Sequence, residues 1–284
     1  MMPPEKRPIR IIALDLDGTL LDDRGEVSPL DRAALRGFQD RGGLVVLASG
    51  RMTAAIRPAG KKMGIDGPII AYNGAMARDA LARGNALLLH RPLPASYGDE
   101  LIDYGRREGF HLNYYLDDKL YASGDPGLRR YADIYARQTG SIFEFVPDLG
   151  VFKGSCPTKI ILITDRSVPG RYNPRGRDEL FAVWRRRWGE EVSITMTNPN
   201  YLEFWHREVD KGTALAAVAA HYGIPREETM AFGDARNDSP MLRWAGLGVA
   251  VANAHEEVKA AADYVSPLSN NESAVGEAIG LLVE

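Results

Sequence analysis

The stretch Asp15-Leu16-Asp17-Gly18-Thr19-Leu20 follows the short apolar run Ile11 to Leu14 near the start of a 284-residue chain. A short apolar run that ends in carboxylates predicts a strand buried on both faces. Its carboxyl end then carries the acids, at the place where α/β sheets hold their ligands. Two acids at i and i+2 on a continuing strand project to one side. Such a pair repels itself unless a cation or a proton intervenes. The spacing therefore points to a hard metal ion with oxygen ligands and to one carboxylate able to act as a nucleophile. The competing reading is an exposed acidic turn around Gly18.

Outward from this stretch, the first 75 residues alternate strand and helix signals. Ile9 to Asp15 is followed by a helix start at Ser28 and Pro29, then by Leu44 to Ser49, a helix after Thr53, and Pro68 to Gly74. Ser28 with Asp31 three residues on, and Pro29 at the first helical position, form a helix N-terminus. The last 80 residues repeat the pattern: a helix from Lys211 to Tyr222, a strand Thr229 to Phe232, a helix around Asp238 to Trp244, a strand Leu247 to Val251, and a final helix. Short continuous apolar runs and Ala-rich helices predict a doubly wound, mainly parallel, Rossmann-like α/β core.

Between these halves the texture changes. Aromatics cluster (Tyr97, Tyr104, Tyr114, Tyr115, Tyr121, Tyr131, Tyr135), and strand-like segments at 110–116, 119–123, 159–165 and 192–197 alternate with amphipathic helices. The expected division is a core of residues 1–84 and 200–284, interrupted by an inserted α+β domain of residues 85–199. Its linkers are expected near Gly84 and near Asn198-Pro199-Asn200. The segment 171–187 carries six Arg against two acids and reads either as a solvated helix or as a contact for a polyanionic substrate.

Composition removes other classes. With 35 Lys+Arg against 38 Asp+Glu the net charge is −3, which argues against a protein that coats duplex nucleic acid. A single cysteine, Cys156, forms no intramolecular disulfide, and the five histidines show no metal-ligand spacing. No stretch approaches the roughly 18 consecutive apolar residues that span a bilayer, and the N-terminus has no signal-peptide pattern. A cytoplasmic protein with neither membrane nor nucleic-acid partners is expected.

Three further segments follow strands in the same way. Ser49-Gly50-Arg51 offers a hydroxyl and backbone N–H groups suited to phosphate oxygens, though such a tripeptide also occurs as a plain loop. Gly233-Asp234-Ala235-Arg236-Asn237-Asp238 brings two more carboxylates and an amide, although acids at a helix start also compensate its dipole. Lys211 opens a helix after Asp210, a position where the dipole disfavours a cation and a bound anion would reverse the penalty. Only 8 of the 35 basic residues are Lys, which makes this placement the more informative. Together the order supplies a nucleophile, an acid/base, metal ligands and phosphate clamps, the parts of phosphoryl transfer through an aspartyl phosphate.

The sequence resembles the haloacid dehalogenase-like superfamily, and within it the Cof-type phosphatases, whose cap is inserted between the second and third motifs. Residues 15–20, 48–51, the Lys211-Gly212 helix start and 233–242 look like its four motifs in order, and 71–75 and 201–206 look like stretches typical of the Cof group. The resemblance implies Mg²⁺ as cofactor. It implies Asp15 as nucleophile and metal ligand, and Asp17 as general acid/base and metal ligand through its carbonyl. Asp234 becomes the second metal carboxylate, Asp238 a support behind the metal, and Ser49, Gly50, Lys211 and Asn237 the phosphate contacts. Arg51 and Asn73 are placed near the substrate, with a purely local role, fixing the loop for Arg51 and turn chemistry for Asn73, as the alternative. Ser49 stands where many relatives have Thr. An acid at position 17 favours a phosphatase or phosphomutase over dehalogenases, which lack it, and over ion-pumping ATPases, which carry Thr. The leading expectation is a phosphatase for a small phosphorylated metabolite. The alternatives are a phosphohexomutase of the phosphomannomutase type, a sugar-specific phosphatase such as those for mannosylglycerate phosphate or sucrose phosphate, and a non-catalytic phospho-ligand module.

Overall fold

The computed structural model describes residues 5–79, 85–164, 176–197 and 200–284. The chain divides into two compact units, the residues up to His90 with Asp210–Glu284, and Arg91–Val209.

The first unit begins β1 (Ile11–Asp15), α1 (Pro29–Asp40), β2 (Leu44–Ala48), α2 (Thr53–Met63), β3 (Ile69–Ala71), β4 (Met76–Asp79) and β5 (Ala86–His90). The second unit supplies α3 (Ala95–Glu108), β6 (His111–Leu116), β7 (Lys119–Ser123), α4 (Arg129–Thr139), β8 (Phe143–Val146), β9 (Lys159–Ile163), α5 (Arg177–Trp188), β10 (Val192–Thr197) and β11 (Tyr201–His206). The chain then returns to the first unit with α6 (Lys211–His221), β12 (Thr229–Gly233), α7 (Ser239–Trp244), β13 (Leu247–Ala250), α8 (Glu256–Lys259), β14 (Tyr264–Val265) and α9 (Ala274–Leu282).

Among the described residues the first unit carries one sheet in the order β14-β13-β12-β1-β2-β3-β4-β5. Every pairing from β14 to β3 is parallel, and β4 and β5 add an antiparallel edge. All five residues of β1 are buried, as both-face burial requires. Ser28 caps α1, its Oγ accepting from Asp31 N at 3.0 Å, with Pro29 at the first helical position. The small side chains of α6, Ala214 and Ala219 with Leu215 and Val218, sit in one cluster with Ile11, Ala13, Val46 and Ala231 of the sheet. Small residues let the helix lie close to the strands. A Cβ on Gly212 would stand 2.5 Å from Pro240 O, so glycine is what allows α6 to meet α7.

The second unit is α+β. Its sheet runs β10-β11-β9-β6-β7-β8, antiparallel except for β7 with β8. Side chains alternate across it. Leu112, Tyr114, Ile160, Leu162, Leu202 and Phe204 form one apolar face with Leu101, Trp184 and Trp188 of α3 and α5. The alternate positions mix apolar residues such as Ile161 and Ile163 with buried polar ones: Lys159 Nζ donates to Glu203 Oε2 at 3.0 Å, and His111 Nε2 lies 2.8 Å from Asn113 Oδ1. Burial pushes the His111 imidazole down to about 4 and outweighs its hydrogen bonds to Asn113 and to the Leu128 backbone.

The α/β core expected from the sequence is present, but two strands fall on the other side of the expected boundaries. Ala86–His90 was expected in the insertion; it pairs antiparallel with β4 and completes the first sheet. Tyr201–His206 was expected in the core; it pairs with β10 and β9 in the second sheet. Both are apolar runs whose membership is decided by a strand partner and not by their own composition. Gly84, Asn198 and Pro199, where linkers were expected, lie outside the described residues, as do residues 171–175 of the Arg-rich segment. No described helix is long and apolar enough to cross a membrane.

Candidate active site

Four neighbouring strands of the first sheet, β12, β1, β2 and β3, end on the same side because they run parallel. Asp15 is the last residue of β1, Ser49 follows β2, Asn73 follows β3, and Asp234 follows Gly233 at the end of β12. Lys211 is the first residue of α6, whose N-cap Asp210 accepts from Thr213 N through Oδ1 at 2.7 Å.

The ammonium of Lys211 is wholly enclosed. Its Nζ donates to Asp15 Oδ1 at 2.5 Å and to Asp238 Oδ1 at 2.6 Å. Burial alone would push the Lys211 amine down; the two carboxylates outweigh it and hold the amine above its ordinary value, so it stays charged. Asp15, only 6% exposed, is raised to about 7, chiefly by burial and further by the charges of Asp238 and Asp234, with Lys211 acting against the rise. Asp234 is raised chiefly by burial, although Thr19 Oγ1 donates to its Oδ1 at 2.7 Å.

Asp238 is fully buried and its oxygens are committed, Oδ1 to Lys211 and Oδ2 to the backbone N–H groups of Asp234 (3.2 Å) and Ala235 (3.0 Å). This folds the loop after β12 back on itself. Each of Asp15, Asp234 and Asp238 offers an oxygen within 4.8 Å of the others. An all-oxygen, anionic, mostly buried donor set fits a hard divalent cation, and with Asp238 engaged elsewhere, Asp15 and Asp234 are the carboxylates free to share one.

Asp17 lies two residues beyond the end of β1 and outside the three-carboxylate cluster. Its side chain is 57% exposed and is clasped by Arg51, with Nε to Oδ2 at 3.0 Å and Nη2 to Oδ1 at 2.5 Å. Arg51 N in turn donates to the buried Ser49 Oγ at 3.2 Å. For Arg51 the sequence left two roles open, fixing its loop or touching substrate; in the structure its side chain holds Asp17.

Gly50, Asn73 and Asn237 meet as a second group. Asn237 Nδ2 donates to Asn73 Oδ1 at 2.9 Å, and a Cβ on Gly50 would lie 3.0 Å from that same oxygen. Tyr72 and Asn73 turn through the left-handed region, with φ of 52° and 57°. The sequence reading missed two contributors. Thr19, four residues after Asp15, donates to Asp234, a contact that nothing in its own neighbourhood signals. Asn253 has its amide 2.7 Å from Gly18 O, across 235 residues, and no local pattern announces it.

The model of haloacid dehalogenase-like hydrolases matches residues 12–279. The chain is 29% identical over 290 residues to the phosphatase YwpJ of Bacillus subtilis, covering 94% of this chain and 97% of that protein. It is 29% identical to the 5-amino-6-(5-phospho-D-ribitylamino)uracil phosphatase YcsE of the same organism, over 95% of this chain and 94% of that one. Among solved structures, the Thermotoga maritima protein TM0651 superposes with a TM-score of 0.85 at 32% identity, covering 97% of this chain and 98% of that one. A family match over nearly the whole length, together with an oxygen-donor cluster at the strand ends, leads to one conclusion: the chain belongs to the haloacid dehalogenase-like hydrolases of the Cof type.

Proposed function

We propose that this phosphatase hydrolyses the phosphomonoester of a small metabolite through an aspartyl phosphate on Asp15, with Mg²⁺ as its cofactor. The observation that carries the reading is the buried Lys211 ammonium 2.5 Å from Asp15 and 2.6 Å from Asp238, beside Asp234. Three carboxylates around one ammonium at the ends of parallel strands leave a net negative cluster that a divalent cation would offset, so that a phosphoryl group can approach Asp15 beside Lys211.

The steps follow from the side chains. An oxygen of Asp15 attacks phosphorus, forming the acyl phosphate bond as the bond from phosphorus to the leaving oxygen breaks. Asp17, protonated, gives its proton to that oxygen, then takes one from the water that attacks phosphorus and releases inorganic phosphate, which restores Asp15. Lys211 balances charge on the transferring group, while Ser49, Gly50 and Asn237 hold its oxygens. Asp15, Asp234 and the Asp17 carbonyl would hold Mg²⁺, which when bound would supply positive charge beside the phosphoryl oxygens. Asp238 keeps Lys211 and the 234–235 backbone in place.

Recognition of the leaving group is assigned to the inserted unit, which takes the place of the expected cap, and Arg51 and Asn73 complete the substrate contacts. The relative named for 5-amino-6-(5-phospho-D-ribitylamino)uracil supports a small, soluble phosphorylated substrate. The protein is proposed to act in the cytoplasm without nucleic-acid or membrane partners. Release of inorganic phosphate from p-nitrophenyl phosphate and a sugar-phosphate panel tests the reading. Activity that survives Asp15→Asn, ignores EDTA, or moves phosphate between sugar positions without releasing it would overturn it.

A further inference from the structure

The loop from Leu16 to Ser28, which carries Asp17, Gly18 and Thr19, is tied to the C-terminal part of the core by side-chain amides. Asn253 Nδ2 donates to Gly18 O at 2.7 Å. The other end of that amide, Oδ1, accepts from Asn270 N at 3.0 Å, and the buried Asn270 donates through Nδ2 to Leu21 O at 2.9 Å. Asn253 itself is exposed, so its role is not to fill the core. Instead of water, its amide serves two main-chain groups.

The segment around Asn253 is bound to the other acidic loop as well. Val251 N donates to Gly233 O at 3.4 Å and His255 N to Asp234 O at 3.0 Å. Asn253 therefore bridges the backbone that presents Asp15 and Asp17 to the backbone that presents Asp234. The bridged residue is one that cannot hold itself. Gly18 has φ of +86°, and a Cβ there would stand 2.7 Å from Asp234 Oδ2, so no side chain can anchor it. Glycine loses more backbone freedom on ordering than any other residue, and an outside hydrogen bond to its carbonyl supplies the restraint.

We propose that Asn253 is a positioning residue. It fixes the Gly18 peptide, and with it the distance between the Asp15–Asp17 loop and Asp234, so that the two acidic loops form one cation site; Asn270 is its support. The inference rests on the proposed sharing of Mg²⁺ by these loops. Partners behind the ligands of a metal typically change its affinity about 10–100-fold when removed.

The test titrates Mg²⁺ alone into wild-type, Asn253→Ala, Asn253→Asp and Asn271→Ala proteins by calorimetry, with hydrogen exchange of the Leu20 and Leu21 amides followed without metal. Asn253→Asp keeps an acceptor for Asn270 but loses the donor to Gly18, and it stands in if the alanine variant fails to fold. Asn271, which accepts from Asp23 N farther along the loop, is the control. Both Asn253 variants are expected to weaken Mg²⁺ binding roughly 10-fold or more and to speed exchange at Leu20 and Leu21, while Asn271→Ala leaves both unchanged. Wild-type affinity and wild-type exchange in a folded Asn253 variant would overturn this inference alone. A wild-type protein that binds no Mg²⁺ would overturn the parent reading and this one with it.

Discussion

Lys211 and Asp15 lie 196 residues apart in sequence, and their side chains meet at 2.5 Å with the ammonium fully out of solvent. Lys211→Met keeps most of the volume and removes the charge, leaving Asp15 and Asp238 enclosed together without a cation. Breaking a buried ion pair in this way costs about 3–5 kcal/mol. The loss is expected to be larger at pH 8 than at pH 5.5, because the Asp15 carboxyl, raised to about 7, takes up a proton as the pH falls. Urea unfolding at the two pH values measures it, and phosphate release is expected to fall at least ~100-fold, the scale for removing one transition-state charge contact.

Gly18→Ala acts on the same site from the other side. The added methyl would be forced against Asp234 Oδ2 in a backbone conformation that disfavours any Cβ, with φ of +86°. A strained position of this kind costs about 1–3 kcal/mol. The expected signature is a fall in activity that high Mg²⁺ partly restores, read from activity against Mg²⁺ concentration together with the thermal midpoint.

Arg51 grips both oxygens of Asp17. If Asp17 protonates the leaving oxygen, its placement matters most where that oxygen is a poor leaving group. Arg51→Ala is therefore expected to slow an alkyl phosphate by roughly 10–100-fold and p-nitrophenyl phosphate by only a few-fold, since general-acid assistance is worth about 10²–10⁴. Equal losses on the two substrates would place Arg51 on the phosphoryl group instead.

The His111 imidazole is held neutral, at about 4 against an ordinary 6.5. A depressed histidine contributes stability above pH 6.5 and loses it as the pH falls toward 4, because the unfolded chain takes the proton first. The full span is worth roughly 3 kcal/mol. Wild-type protein should thus lose stability relative to His111→Phe between pH 7 and pH 4.5, as followed by urea unfolding of the two proteins side by side.

The parts of this molecule that were legible in the sequence are those set by neighbours along the chain. The apolar runs of β1, β2 and β12, the Ser28 cap and the Asp210 cap all follow from spacing within a few residues. Strands β5 and β11 were assigned to the wrong sheet because an apolar five- or six-residue run is compatible with either. Asp17 stands two residues past the end of β1, where strand alternation no longer fixes a side chain's direction, and Arg51 is its partner there. Thr19 and Asn253 escaped notice for a different reason: each is an ordinary loop residue until a partner 215 or 235 residues away gives it a hydrogen bond.

The central place of β1 between β2 and β12 also bears on how the protein is made. As the chain emerges, β1 can pair with β2 almost at once, but its other edge stays open until Thr229–Gly233 has been synthesised. Roughly four-fifths of the chain therefore precedes the strand that seals the sheet, and Lys211, Asp234 and Asp238 arrive with it or just before or after it. An unsealed β-edge flanked by apolar residues is prone to wrong pairings. Strand β1 is thus in place early but acquires its site partners late, and a ribosome-bound chain halted before Thr229 would carry Asp15 beside an exposed edge, with neither Asp234 nor Asp238.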